Sequence, residues 1–132
     1  MEKTNVMRLL DQKKIKYNSY SYGEGIAISG IEVAKKINKN PNQVFKTLVT
    51  ISQRKIFYVF VIPVNKELDL KKAALSVSEK SIQMIKSNEL LPNTGYIHGG
   101  CSPIGMKKKY KTVIDNSALN YNTIIFSAGK IG

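Results

Sequence analysis

Val44-Phe45-Lys46-Thr47-Leu48-Val49-Thr50-Ile51, followed after Gln53-Arg54-Lys55 by Ile56-Phe57-Tyr58-Val59-Phe60-Val61-Ile62, is the stretch that decides the fold. Both runs are rich in β-branched and aromatic residues, which predicts two strands joined by a tight hairpin. The second run is apolar on both faces, the pattern of a central strand covered on both sides. Pro63 stops it. In the first run Phe45, Thr47, Val49 and Ile51 share one face, and Val44, Lys46 and Leu48 share the other. Lys46 is the charge that interrupts it. Such a lysine either carries its ammonium to the sheet edge along an apolar stem or is placed to meet an anion.

Outward from the hairpin the pattern is irregular. Residues 4–14 read as a short helix, capped by Thr4 or Asn5, with Val6, Leu9 and Leu10 on one stripe. Asn18 to Tyr22 alternates and reads as a strand. Ser29-Gly30-Ile31-Glu32 is a capping-box pattern opening a helix with Val33, Ala34 and Ile37 on one face, ended by Asn38 to Asn42. Leu68 to Leu75 reads as a helix with Asp69 near its start. Lys80 to Ile85 fits a strand or a helix. Ser87 to Leu91 reads as one helical turn before Pro92, Tyr96 to Met106 as a glycine-rich loop, and Thr112 to Asp115 and Thr123 to Ser127 as short strands. Strands and helices so interleaved predict a single α/β domain of α+β type, a mixed and mostly antiparallel sheet with helices around it.

The chain's 132 residues suit one domain. Hydrophobic residues make up 42% and charged residues 23%, a globular balance. No apolar run approaches the ~20 residues of a membrane span, and the start lacks an apolar signal core, so no membrane partner is expected. The single cysteine, Cys101, precludes an internal disulfide and a cysteine zinc cluster, and fits a reducing, cytoplasmic setting. Lys plus Arg is 21 against 9 acids, a net charge of +12. That excess favours a polyanion. An AT-rich genome also writes lysine-, isoleucine- and asparagine-rich proteins, but it does not explain why the acids are so few.

His98 and Cys101 suggest a nucleophilic pair, yet cysteine hydrolases bring base and thiol from distant segments and orient the base with a third group, which is missing here. Gly100 to Lys107 imitates a phosphate loop, but Met106 stands where the lysine belongs and Pro103 removes a backbone donor. One histidine, one cysteine and scattered acids do not make a metal site. No metal or other cofactor is expected. The glycine loop itself, with Gly95, Gly99, Gly100 and Gly105, is either an inert connection or a wall of N–H groups facing a carbonyl or phosphate oxygen. Lys107, Lys108, Lys109 and Lys111 follow it, as a solvated face or as a basic face for a polyanion.

Gln43-Val44-Phe45-Lys46-Thr47-Leu48-Val49, Gly95-Tyr96-Ile97-His98-Gly99-Gly100-Cys101-Ser102-Pro103-Ile104-Gly105, Thr112-Val113-Ile114-Asp115 and Ser127-Ala128-Gly129-Lys130 together resemble the YbaK family, relatives of the editing domain inserted in bacterial prolyl-tRNA synthetase. Leu68 to Lys72 and Thr4 to Leu10 match the same pattern, so the resemblance runs over nearly the whole chain. It implies a bent, mostly antiparallel sheet with helices around it. It also implies a trans-editing hydrolase that cleaves cysteine from proline tRNA, with removal of alanine or another small residue, or tRNA binding without turnover, as alternatives. The resemblance makes Lys46, Gly99 and Gly100 the catalytic positions. It places Tyr20, Thr47, Ser102, Pro103 and Ser127 against the substrate, and leaves Lys107, Lys108, Lys109 and Lys111 for the tRNA. The implied partners are the 3′ end of proline tRNA and prolyl-tRNA synthetase. Cys101 matches no required position. In the family a last strand and helix, with a pocket aspartate, follow the Gly-Lys-x-Gly turn. Residues 1–132 are therefore expected to form the editing domain without that strand and helix.

The family chemistry needs no side-chain nucleophile. The resemblance implies that the substrate's own thiol attacks its ester carbonyl, while the protein orients the ester and stabilises the oxyanion.

Overall fold

The computed structural model describes residues 2–23 and 27–132. Eight regular elements and a short 3-10 turn follow one another: α1 (Asn5–Gln12), α2 (Gly30–Lys36), β1 (Phe45–Ser52), β2 (Phe57–Pro63), α3 (Leu70–Ser76), β3 (Ile82–Met84), α4 (Ser87–Thr94), β4 (Lys111–Ile114) and the turn Asn116–Asn120. The strands form one sheet in the order β3-β1-β2-β4. β1 runs antiparallel to both β2 and β3, while β2 and β4 are parallel. The hairpin and the central, doubly covered β2 are therefore as expected, and β2 is buried along nearly its whole length.

The two faces of the sheet carry separate cores. Tyr58 and Phe60 point toward α3 and meet Ala73, Ala74 and Val77. Phe45, Val49, Val59 and Val61 point the other way and meet Cys101, with Tyr96, Met106 and Tyr110 from the glycine-rich loop and beyond packed around them. α2 closes the start of the hairpin through Ala34, Val44 and Val64. Gly30 is required there. A Cβ on it would lie 2.4 Å from Val64 Cγ1.

The helices begin and end where local chemistry dictates. Thr4, Ser29 and Asp69 cap α1, α2 and α3 by accepting the N–H of Met7, Glu32 and Lys72. The same three helices end alike. Lys14, Asn38 and Ser78 adopt left-handed backbone. The next residue's N–H then returns to the helix, Ile15 to Leu10, Lys39 to Ala34 and Glu79 to Ala74. These are Schellman closures built without glycine.

The structure corrects three expectations. Residues 18–22 form no strand; their link to the fold is the Tyr22 N–H and the Ser21 hydroxyl, both donated to the Gly132 carbonyl. Thr123 to Ser127 is reduced to one parallel bridge between Ile125 and Val44. α4 does not stop before Pro92 but runs through it to Thr94. Proline removes one donor. Beside it, Asn93 Nδ2 and Thr94 Oγ1 bond back to the carbonyls of Glu89 and Leu90. Gly95, at φ +85°, then ends the helix. Lys80 to Ile85 resolves as a strand centred on β3.

Candidate active site

The segment 123–132 organises the candidate site. Gln43 Nε2 donates to the Thr123 carbonyl at 2.8 Å. The Phe45 N–H donates to the Ile125 carbonyl at 2.7 Å, fastening the segment to the edge of β1. Ser127 lies two residues beyond this bridge, as Lys46 lies two beyond Val44. Ser127 Oγ accepts the Gly129 N–H at 3.1 Å, and Gly129 turns the chain at φ +88°. Lys130 and Ile131 then pass across Gly100, where an added Cβ would sit 3.2 Å from the Ile131 nitrogen. Gly99, at φ +87°, touches Ala27 in the same way, at 2.8 Å. The Gly132 carbonyl closes on Ser21 and Tyr22. Segments 20–22, 95–103 and 127–132 thus converge beside the start of β1. A shallow cleft of ≈ 360 Å³ lies between Gly95-Tyr96-Ile97 and Gly129-Lys130-Ile131.

The expected site residues divide into groups. Gly99 is exposed, and Gly100 is buried beneath Lys130 and Ile131. Ser102 is fully buried, its Oγ accepting the Ile104 N–H at 3.3 Å, and with half-buried Pro103 it shapes the loop from within. Tyr96 braces the same loop by donating its hydroxyl to the Ile104 carbonyl, and burial raises its pKa. Tyr20 is exposed, with the Lys39 ammonium 5.1 Å from its ring centre. Lys46 and Thr47 are half-buried neighbours on β1 and project to opposite faces. Lys46 forms no ion pair with any described residue. Thr47 Oγ1 is buried and has no hydrogen-bond partner.

His98 and Cys101 do not form a pair. His98 is exposed, whereas Cys101 belongs to the core beneath the sheet with Phe45, Val49, Val59 and Val61. Burial pushes its thiol up to about 11, so it is protonated across the neutral range and is a poor nucleophile. Among the described residues no group of three or more His, Cys, Asp or Glu is placed to hold a metal.

The basic run also divides. Lys107, Lys108, Lys109 and Lys111 are all exposed, but only the Lys107 side chain is tied to the fold. Lys107 is bound to the end of α4: its N–H donates to the Thr94 carbonyl at 3.0 Å, its stem lies over Gly95, and its ammonium reaches the Pro92 carbonyl. Lys39, Ala27 and Ile131, none of which stands out in the sequence, adjoin Tyr20, Gly99 and Gly100. Lys39 follows a left-handed asparagine at a helix end, a local signal, whereas the contact of Ile131 with Gly100 carries no trace in either segment alone.

The profile of the Aminoacyl-tRNA editing domain matches residues 28–132. The chain belongs to the aminoacyl-tRNA editing family. The Enterococcus faecalis protein EbsC, whose name describes a Cys-tRNA(Pro)/Cys-tRNA(Cys) deacylase, is 43% identical over 99% of this chain and 80% of its own. Two solved structures share the architecture of this editing domain. The hypothetical protein APE2540 superposes with a TM-score of 0.85 at 19% identity, over 95% of this chain and 82% of that one. A protein described as a trans-editing enzyme for prolyl tRNA synthetase superposes with a TM-score of 0.71 at 24% identity, over 79% of this chain and 65% of that one. At these identities the two structures speak for the fold.

Proposed function

We propose that this editing domain is a deacylase acting in trans, in the cytoplasm, on cysteine mischarged to proline tRNA. The 43% identity to EbsC along almost the whole chain carries the reading. In this reading Tyr20, Lys46, Thr47, Gly99, Gly100 and Ser127 hold the substrate's 3′ end. The exposed Lys108, Lys109 and Lys111 meet tRNA phosphates. Prolyl-tRNA synthetase is the partner from which the mischarged tRNA comes.

The buried Cys101 thiol makes substrate-assisted cleavage the mechanism that fits best. The cysteinyl sulfur of the substrate attacks its own ester carbonyl. A C–S bond forms, the bond from that carbon to the ribose oxygen breaks, and the thiol proton ends on the released tRNA hydroxyl. The thiolactone leaves and hydrolyses in water. The protein supplies orientation and donors for the oxyanion. Serine is a weaker nucleophile and proline offers none, so proline tRNA charged with proline survives.

The test is deacylation of cysteine-, alanine- and proline-charged proline tRNA side by side. Rapid loss of cysteine, with proline retained, is the expected result. Faster loss of alanine would move the substrate to that amino acid, and buffer-level loss of all three would leave a tRNA-binding domain without turnover.

A further inference from the structure

The edge of β1 is broken at Thr47. The hairpin register fixes which way each backbone group points. Val64 donates its N–H to the Val44 carbonyl at 2.8 Å, and Ser52 donates to the Ile56 carbonyl at 2.9 Å. In the register 46↔62, 48↔60, 50↔58, the even-numbered residues of β1 therefore bond to β2. The odd-numbered ones point to the opposite edge. Phe45 satisfies its N–H there on Ile125, at 2.7 Å. Val49 accepts the Ile85 N–H at 3.3 Å, and Ile51 pairs with Gln83 of β3. Between these two partners, which come from different parts of the chain, Thr47 has none. The register leaves it without a bonded partner in β2 or β3, and no loop or turn bond from a described residue reaches its N–H or carbonyl. Thr47 Oγ1 is buried and unsatisfied. Buried polar groups are nearly always paired, so the unsatisfied Thr47 Oγ1, next to two main-chain groups that bond to no described residue and beside Lys46, marks a place made for a ligand.

We infer that the broken edge of β1 at Thr47 binds the aminoacyl group of the substrate as a one-residue strand. An aminoacyl ester carries the complement such a gap asks for. Its carbonyl accepts the Thr47 N–H, and its α-ammonium donates to the main-chain carbonyl beside it, that of Phe45 or Thr47 according to its direction. This is strand addition reduced to a single residue. The main chain then fixes the ester without testing the side chain, and it presents the carbonyl to a donor that is already in place when charge develops on the oxygen. The inference rests on the deacylase reading above and adds to it which atoms hold the aminoacyl group.

The experiment replaces the backbone N–H alone. The α-hydroxy analogue of threonine, installed at position 47 by nonsense suppression, puts an ester oxygen where the N–H was. The same exchange at Ile51, which itself pairs with Gln83 of β3, is the control. The position-47 protein is expected to melt with the wild type and to lose about 10²-fold in kcat/KM for cysteine-charged proline tRNA. The position-51 protein is expected to lose stability and keep its rate. 3-Mercaptopropionyl-charged tRNA keeps the thiol and the ester but lacks the ammonium; its cleavage is expected to be about 10-fold slower, the worth of one charge-assisted hydrogen bond. In parallel, the Thr47 amide resonance is followed while 3′-cysteinylamino-3′-deoxyadenosine is added to the wild-type protein, and a downfield displacement is expected. A full rate in the position-47 protein, or a Thr47 amide that does not move, overturns the inference. Buffer-level cleavage by the wild type would remove the deacylase reading alone, because the amide titration decides the occupancy of the gap without turnover.

Discussion

Lys46 projects to one face of the sheet and Cys101 packs against the other, and the two invite opposite readings. Lys46 is half-buried with no ion-pair partner among the described residues, so its ammonium is available to an anion. Lys46→Ala is expected to remove about 10²-fold of turnover, the scale of one lost electrostatic contact to the reacting group. Circular dichroism and melting should stay close to wild type. A full rate would return Lys46 to a stem lying along the sheet edge. Cys101 is a core residue. Cys101→Ala should keep deacylation within a few-fold while costing about 1 kcal/mol of stability for the lost packing. With the thiol pushed up to about 11, iodoacetamide at neutral pH should label the native protein far more slowly than the urea-unfolded one. Inactivity of a well-folded Cys101→Ala protein would reinstate an enzyme nucleophile.

Among the elements, α3 and the hairpin turn share a lock remote from the site. The Schellman closure at Ser78 delivers Glu79, 1% exposed, to Arg54 in the turn. Arg54 Nε and Nη2 donate to the two carboxylate oxygens at 2.8 and 3.0 Å, and the Tyr58 hydroxyl donates at 2.6 Å. Arg54 first, then Tyr58, draw the Glu79 carboxyl down to about 2 from an ordinary 4.5. A depressed folded-state pKa adds stability above the unfolded value and loses it as pH falls. Melting temperature should therefore drop between pH 4.5 and about 2, and in Glu79→Gln that part of the drop should vanish from a lower starting point. The closures also invite improvement. A non-glycine residue in left-handed backbone costs roughly 1 kcal/mol, so Ser78→Gly and Lys14→Gly should each raise stability by about that much in urea titrations. What was legible in the sequence follows the same line between local and distant chemistry. The hairpin, the Ser29 cap and the Asp69 cap are set by residues a few positions apart, and they stand where the sequence put them. Asn18 to Tyr22 and Thr123 to Ser127 have strand composition but meet partners about 80 to 111 residues away, and the ladder they would need does not form. Of the site, the lysine in an apolar strand and the glycine loop could be singled out. The gap at Thr47 could not, because it exists only between two segments that the sequence does not relate.

At the scale of the whole molecule the net charge of +12 acts as a field, but its lysines are not equivalent. Lys108→Glu with Lys109→Glu should weaken tRNA binding across sequences and flatten the log–log salt dependence by ~0.7–0.9 per lost phosphate contact. Lys107→Ala should instead lower melting temperature, since Lys107 closes α4, and leave the salt slope nearly unchanged. Equal slopes for the double reversal and the wild type would mean that this face does not touch the tRNA. The segment 123–132 carries a further consequence for synthesis. It is the clamp between β1, the glycine loop and Tyr22, so the amino-terminal hundred residues alone lack the wall that Lys130 and Ile131 build over Gly100. On the ribosome the hairpin and its helices can collapse early, but the cleft can close only after these late residues clear the exit tunnel. A nascent chain should therefore acquire its fold well before its activity, and pairing over such separations should make that last step the slow one.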